Sequence, residues 1–147
     1  MKINFYLIKI AVLSLFFATS LLADKSDIFG EGKKLFEKKE FDKSKIYFER
    51  DIVFNPMSEK SYLYLAKIFF QNKNDSDLEI NLNNVLDLNP KNDEAIYMLT
   101  LLKIKQTNYD EAKELMATFN LICKSFCSKK DEMKKKFSEL VPENEKN

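Results

Sequence analysis

The sequence repeats itself with a period of 34 residues. One segment ends in Phe-Asn-Pro at Pro56, and a similar segment ends in Leu-Asn-Pro at Pro90. Other positions at the same step carry residues of similar size: Ile28, Tyr62 and Ile96; Gly32, Ala66 and Thr100; Phe48, Leu82 and Met116. A fixed period of this length is typical of stacked structural units, in which each unit contacts only its neighbours. The period therefore predicts a protein that works through an extended surface rather than an enclosed catalytic pocket.

The units are predicted to be helical, because glycine occurs only twice and the alternation typical of strands is hardly visible. We predict helices at residues 26–39, 42–54, 59–71, 75–88, 92–106, 110–122 and 129–141. Two of them end before Pro56 and Pro90, since proline disfavours the helical conformation in the preceding residue. Ser128 and Asp131 are expected to form a capping box at the seventh helix.

The seventh helix is predicted to cap the stack with one apolar face. Met133, Phe137 and Leu140 are expected to point inward. Its lysines are expected to face solvent: Lys129, Lys130, Lys134, Lys135 and Lys136. Nothing comparable covers the other end of the stack, so Phe29 and Phe36 are expected to need a partner or a second copy.

Three motif groups in one register resemble tetratricopeptide repeats. They are Gly32, Leu35, Phe41, Ser44, Phe48 and Pro56; Tyr62, Leu65, Ala66, Phe69 and Leu88-Asn89-Pro90; and Asn108-Tyr109-Asp110-Glu111-Ala112. The resemblance implies an all-α fold, an α-solenoid of three helix–turn–helix repeats at about residues 25–56, 57–90 and 91–124, with a C-terminal capping helix at 125–141. The sequence departs from the pattern at Leu78 and Thr100, which are bulky, at Asp51, which takes an apolar place, and at Lys124, which replaces a third proline.

In this family the first helix of each unit lines a concave groove that binds peptides. By register, the resemblance places these residues in the groove: Phe29, Lys33, Phe36, Glu37, Leu63, Lys67, Phe70, Gln71, Tyr97, Leu101, Ile104 and Lys105. The groove is expected to be apolar and basic, and to bind a peptide or helix with apolar anchors and acidic groups. Alternatively, neighbouring helices bury some of these side chains. Phe29 and Glu94 occupy places where chaperone-binding relatives have clamp residues, so no carboxylate clamp is expected.

The N-terminus predicts export. Lys2 and Lys9 precede an apolar run at 10–22, and Ala23 suits cleavage before Asp24. Residues 1–23 are therefore expected to be a cleaved signal peptide, which gives a periplasmic or secreted protein with no membrane span afterwards. An uncleaved membrane anchor is the minor alternative. The tail at 142–147 is expected to be disordered.

The charge balance argues against nucleic acid as a partner. Residues 1–23 contain two of the 24 basic residues, which leaves 22 basic against 23 acidic ones in the remaining chain. A body close to neutral has no general field to attract a polyanion.

Cys123 and Cys127 are the only cysteines. In an exported chain a disulfide is the default for such a pair, and two buried free thiols or a redox-active pair remain as alternatives. A metal or haem site is not expected, because the sequence has two thiols and no histidine.

No catalytic motif is present in the sequence, and no cofactor is expected. The predicted function is a non-catalytic protein-interaction module or scaffold of the bacterial cell envelope. One alternative is a structural subunit that docks or self-associates through its N-terminal edge. Another is an accessory to a peptidoglycan or secretion enzyme that binds polymer through the lysine face.

Overall fold

The computed structural model describes residues 27–141, and the predicted signal peptide and tail lie outside them. The described chain is helical, as predicted. The helices are α1 (Ile28–Glu37), α2 (Phe41–Phe54), α3 (Glu59–Gln71), α4 (Asp75–Leu88), α5 (Asp93–Lys105), α6 (Tyr109–Ile122) and α7 (Lys130–Leu140), with a 3-10 turn at Cys127–Lys129. Successive helices pack as antiparallel pairs, α1 with α2, α3 with α4 and α5 with α6. None of these helices has both the length and the apolar composition needed to cross a membrane.

The 34-residue period is visible in the turn inside each pair. Lys39, Lys73 and Thr107 all have positive φ angles, of 62°, 55° and 61°. In each case the next residue donates its backbone N–H to a carbonyl five positions back. This left-handed ending satisfies carbonyls that the first helix of the pair leaves unpaired. The same local geometry therefore sets the angle between helices in all three pairs.

Thr107 is the least favourable of these three residues, because a β-branched side chain is disfavoured at positive φ. We expect Thr107→Gly to raise the free energy of unfolding by about 1 kcal/mol, since glycine adopts this conformation without strain. Urea denaturation followed by circular dichroism measures the change. The matched control is Thr118→Gly in the exposed middle of α6, which should lose about 0.5 kcal/mol, the difference in helix propensity between threonine and glycine. A similar loss in both variants would contradict the explanation.

Close packing within the pairs depends on small residues, as predicted. A Cβ atom added to Gly32 would lie 2.8 Å from the Phe48 ring, so only glycine leaves room for that ring. Two buried hydroxyl groups have backbone carbonyls as hydrogen-bond acceptors. Ser44 donates to the carbonyl of Gly32 at 2.8 Å, and Thr100 donates to that of Ile96 at 2.8 Å. Thr100 is therefore accommodated although it is larger than alanine.

Two departures from the repeat pattern have a structural reason. Asp51 takes an apolar place, but its carboxylate accepts hydrogen bonds from the hydroxyls of Ser58, at 2.6 Å, and Ser61. Lys124 replaces the third proline, and its backbone N–H donates to Asp93 at 2.7 Å. Proline has no N–H to donate, so this contact requires another residue type.

The last helix, α7, packs mainly on α5. At the two earlier junctions the incoming helix packs on the helix just before it, α3 on α2 and α5 on α4. Met133 is fully buried, as predicted, but the prediction for Leu140 was wrong, since its side chain is 60% exposed. The predicted cap was also wrong, because a 3-10 turn that contains Ser128 leads directly into α7 and no side chain caps it. The lean of α7 onto α5 adds a third helix to the face formed by α3 and α5.

Candidate functional site

A groove lies on this face, between α3, α5 and α7. It consists of two adjoining recesses of about 810 and 380 Å³. Phe70 of α3, Met98 and Leu101 of α5, and Lys136 of α7 line both recesses. Its apolar lining is Phe36, Phe70, Leu78, Tyr97, Met98, Leu101, Leu102, Ile104, Phe126 and Leu140. We call it the α3–α5–α7 groove.

The structure brings most of the sequence-predicted groove residues to this site. Those that line it are Phe36, Lys67, Phe70, Gln71, Tyr97, Leu101, Ile104 and Lys105. Phe70 is 48% exposed, whereas Tyr97 and Ile104 are buried in the wall. Phe29, Lys33, Glu37 and Leu63 do not line it. The accessible part of the groove is therefore centred on Phe70 and Leu101.

Phe29 lies in an aromatic cluster with α2 and α3, and Phe36 belongs both to this cluster and to the groove. The ring of Phe29 is 5.6 Å from that of Phe48 and 5.5 Å from that of Tyr64, and Phe36 contacts Tyr64 at 5.0 Å. Both side chains are half-buried. Contacts within α1 to α3 thus cover part of both rings, and the expectation that they need a partner or a second copy stays a prediction.

Three of the four lysines that line the groove lie beside a carboxylate, and the fourth is Lys73. The distances from Nζ to oxygen are 2.9 Å for Lys67–Glu94, 2.5 Å for Lys105–Asp75 and 3.5 Å for Lys136–Glu132. Lys33, outside the groove, lies 3.8 Å from Glu37. The rim of the groove consequently carries balanced pairs rather than a net positive charge.

The α7 wall is attached to α5 through Tyr97. The Tyr97 hydroxyl donates to the Glu132 carboxylate at 2.8 Å, and Lys129 donates to the same carboxylate at 2.8 Å. The bond from Lys129, followed by that from Tyr97, lowers the pKa of Glu132 to about 2. Burial, followed by the contact with Glu132, raises the pKa of Tyr97 well above its usual range. The Phe126 ring packs 6.0 Å from that of Tyr97.

This attachment should weaken in acid. The pKa of Glu132 is lower in the folded protein than its ordinary value of 4.5, so its contribution is complete above about pH 4.5 and is lost as the pH falls towards 2. We expect Glu132→Gln to lower the urea midpoint at pH 7 and the difference from wild type to vanish near pH 2. Glu139→Gln, on the same helix beside Lys135, should change little. A Glu132→Gln difference that stays constant with pH would rule out this explanation.

The segment before α7 is fixed at two points. Cys123 and Cys127 form a disulfide with their Cα atoms 5.3 Å apart, which confirms the predicted bridge. Between them, three backbone N–H groups donate to one oxygen of Asp93: Lys124 at 2.7 Å, Ser125 at 2.6 Å and Phe126 at 2.9 Å. Burial opposes the charge of Asp93, yet these bonds lower its pKa. Since Asp93 is the first residue of α5, the segment is attached to the helix on which α7 packs.

Sequence reasoning missed the α7 side of the groove. Glu132, Lys136, Glu139 and Leu140 all line it. One of them could have been found by continuing the 34-residue step, because Glu139 follows the predicted groove residues Gln71 and Lys105 at that spacing.

Solved structures share this arrangement of helices. The chain is similar to the TPR2B domain of yeast Sti1 in its complex with pHsp70. The TM-score is 0.71, and the identity is 17% over 78% of this chain and 96% of that one. The fold is tetratricopeptide-like. The chain is also similar to the first TPR of Spaghetti (RPAP3) bound to the HSP90 peptide SRMEEVD, with a TM-score of 0.69 and 16% identity over 78% of this chain and 91% of the other.

A third similar structure is the CopN–Scc3 complex, with a TM-score of 0.64 and 14% identity over 84% of this chain and 74% of that one. At these identities the likeness applies to the fold. No protein-family model matches the sequence, and no curated protein matches it.

Proposed function

We propose that this tetratricopeptide-like protein is a non-catalytic interaction module that binds a peptide or helix of a partner protein in the α3–α5–α7 groove. The observation that carries the proposal is the apolar floor of the groove, where Phe70 remains half-exposed beside Leu101. A concave apolar surface with a few polar groups at its rim is typical of binding sites, and partly exposed aromatic residues supply much of the energy in such contacts. Two similar structures were solved with bound partners, pHsp70 and an HSP90 peptide, which supports this use of the fold.

The charged pairs at the rim indicate which kind of peptide the groove can bind. Because Lys67 and Lys105 are already paired with Glu94 and Asp75, binding should rely on apolar side chains more than on acidic ones. Since Lys67 is occupied by Glu94, it is not free to bind a terminal carboxylate. The protein is therefore expected to bind internal segments, so that amidation of a peptide C-terminus has little effect.

We place this activity in the bacterial cell envelope, in a periplasmic or secreted protein. The proposal rests on the basic and apolar pattern of residues 1–23. The disulfide supports it, because such bonds persist in oxidising compartments. Fractionation of cells that express the full chain, with mass spectrometry of the mature N-terminus, tests both location and cleavage. Full-length protein found in the cytosol would contradict the assignment.

The binding site is tested by removing its two central side chains. Peptides are selected from a displayed library on the wild-type protein, and their affinities are measured by calorimetry. We expect Phe70→Ala with Leu101→Ala to weaken binding by about 30-fold or more, equivalent to about 2 kcal/mol. Phe54→Ala is the matched control, because Phe54 is an exposed helical phenylalanine outside this groove. Equal losses in the two variants, or no selectable peptide, would contradict the proposal.

A second candidate is a structural subunit that docks through its N-terminal repeat. It is favoured by an exposed apolar stripe on α2 and the turn after it, formed by Ile46, Val53, Phe54 and Met57. Larger apolar patches of this kind often mark interaction surfaces. Native mass spectrometry of the purified protein tests self-association, and a monomer at all concentrations would exclude a second copy as the partner.

A further inference from the structure

The α7 wall of the groove has little stability of its own. The helix has 11 residues, and isolated helices shorter than about 12–15 residues are marginal in water. It has no side-chain cap at its start. Met133 is its buried residue, Val141 just after it is buried as well, and Glu132 provides its hydrogen bond to Tyr97. The position of α7 therefore depends on the segment that precedes it.

That segment carries the covalent link between α6 and α7. Cys123 caps the end of α6, and Cys127 begins the 3-10 turn that leads into α7. α7 packs mainly on α5, and two exposed hydrogen bonds join it to α6: Lys130 Nζ donates to the Asn120 carbonyl at 3.4 Å and the Tyr109 hydroxyl donates to the Leu140 carbonyl at 3.5 Å. The disulfide adds a covalent cross-link between the end of α6 and the turn before α7. The bridge also confines residues 124–126 to the short arc whose N–H groups meet Asp93. Both cysteines are partly exposed.

We propose that the Cys123–Cys127 disulfide is a modification site for a dithiol reductant, and that its reduction releases α7 from α5 and removes one wall of the α3–α5–α7 groove. The second half of this inference rests on the proposed function, because it assumes that the groove binds a peptide. The first half concerns the position of α7 alone. We expect reduction to leave α1 to α4 unchanged, since the hydrogen bonds of the cross-linked segment go to Asp93 of α5.

The reaction is thiol–disulfide exchange. A thiolate of the reductant attacks one sulfur and forms a mixed disulfide, while the other cysteine leaves as a thiolate. The second thiol of the reductant then displaces the first cysteine. In sum, the protein gains two electrons and two protons as two thiols, and the dithiol becomes a disulfide. Opening a loop this short should increase the population with α7 undocked by about 30-fold, equivalent to about 2 kcal/mol.

Hydrogen–deuterium exchange of the full mature chain tests the release of α7. Exchange is compared before and after treatment with dithiothreitol, with complete reduction verified by a mass gain of about 2 Da for the two added hydrogens. We expect residues 130–141 to exchange about 30-fold faster after reduction, while residues 28–88 are unaffected. The double variant Cys123→Ser and Cys127→Ser should exchange like the reduced protein and should not respond to dithiothreitol. Unchanged exchange of α7 in fully reduced protein would overturn the inference.

A binding measurement tests the effect on the groove. The probe is a fluorescein-labelled copy of a peptide selected by the oxidised protein. We expect its affinity to fall by about tenfold or more on reduction, in parallel with faster exchange of α7. Unchanged or tighter binding would overturn the role of α7 as a wall. If the oxidised protein selects no peptide, the proposed function fails, while the exchange experiment still decides whether the disulfide controls α7.

Discussion

Replacing Lys103 with alanine is expected to lower the free energy of unfolding by about 1.5–3 kcal/mol, the usual range for hydrogen bonds to charged groups. Its side chain is 9% exposed, and its Nζ lies 2.6 Å from Glu79 and 2.9 Å from Glu111. Glu79 belongs to α4 and Glu111 to α6, so this cation on α5 joins two repeats. Burial opposes the charge of Lys103, yet the two carboxylates raise its pKa. Removal of the cation leaves two neighbouring carboxylates without their shared counter-charge.

Urea denaturation followed by circular dichroism measures this loss. Lys105→Ala is the matched control, because Lys105 lies on the same helix and pairs with Asp75 on α4 in an exposed position. It should cost less than about 1 kcal/mol. A variant that combines Lys103→Met, Glu79→Gln and Glu111→Gln should recover much of the loss, since no unpaired charge remains. Equal losses for the two single lysine variants would show that burial of this cluster does not matter.

The position of this cluster shows how far the repeat pattern can predict the structure. Counting back 34 residues places Lys103 on Phe69 and Glu79 on Lys45. In the structure Lys45 lies over the Phe69 ring, 5.9 Å from its centre. The same two repeat positions are therefore in contact at both junctions between repeats. At the first junction they are Lys45 and the Phe69 ring, and at the second they are Glu79 and Lys103. The period predicts that these places are neighbours, but only the packed helices show that their charges are complementary.

The charge of the groove could not be predicted for the same reason. The register predicted Lys67 and Lys105 as groove residues, but their partners Glu94 and Asp75 lie 27 and 30 residues away along the chain, in other helices. Such pairing depends on how one repeat is rotated against the next. A sequence reading that counts lysines along one helix face therefore overstates the positive charge.

The last helix was predicted in part. Met133 follows Leu65 and Leu99 at the same 34-residue step, and all three are buried. The lean of α7 onto α5 could not be predicted, because it depends on the short arc between Cys123 and Cys127 and on its three bonds to Asp93. That lean covers Tyr97, which the register had placed on the open surface.

Phe48→Ala is expected to destabilise the protein by about 3–5 kcal/mol, the usual cost of removing a fully buried aromatic side chain. Phe48 has no exposed surface, and its ring lies 5.6 Å from Phe29 and 5.1 Å from Tyr64. It also fills the space that Gly32 leaves open. One ring therefore contacts α1 and α3 from its place on α2, and its loss leaves a cavity where the three helices meet.

Phe54→Ala on the same helix is the control, because its side chain is 69% exposed and should cost less than about 1 kcal/mol. Urea denaturation measures both variants, and exchange of the α1 amides shows whether that helix loosens first. The comparison decides what secures the N-terminal edge of the stack. A loss below about 1 kcal/mol for Phe48→Ala would mean that the aromatic cluster contributes little, and α1 would then need a partner or a second copy to stay in place.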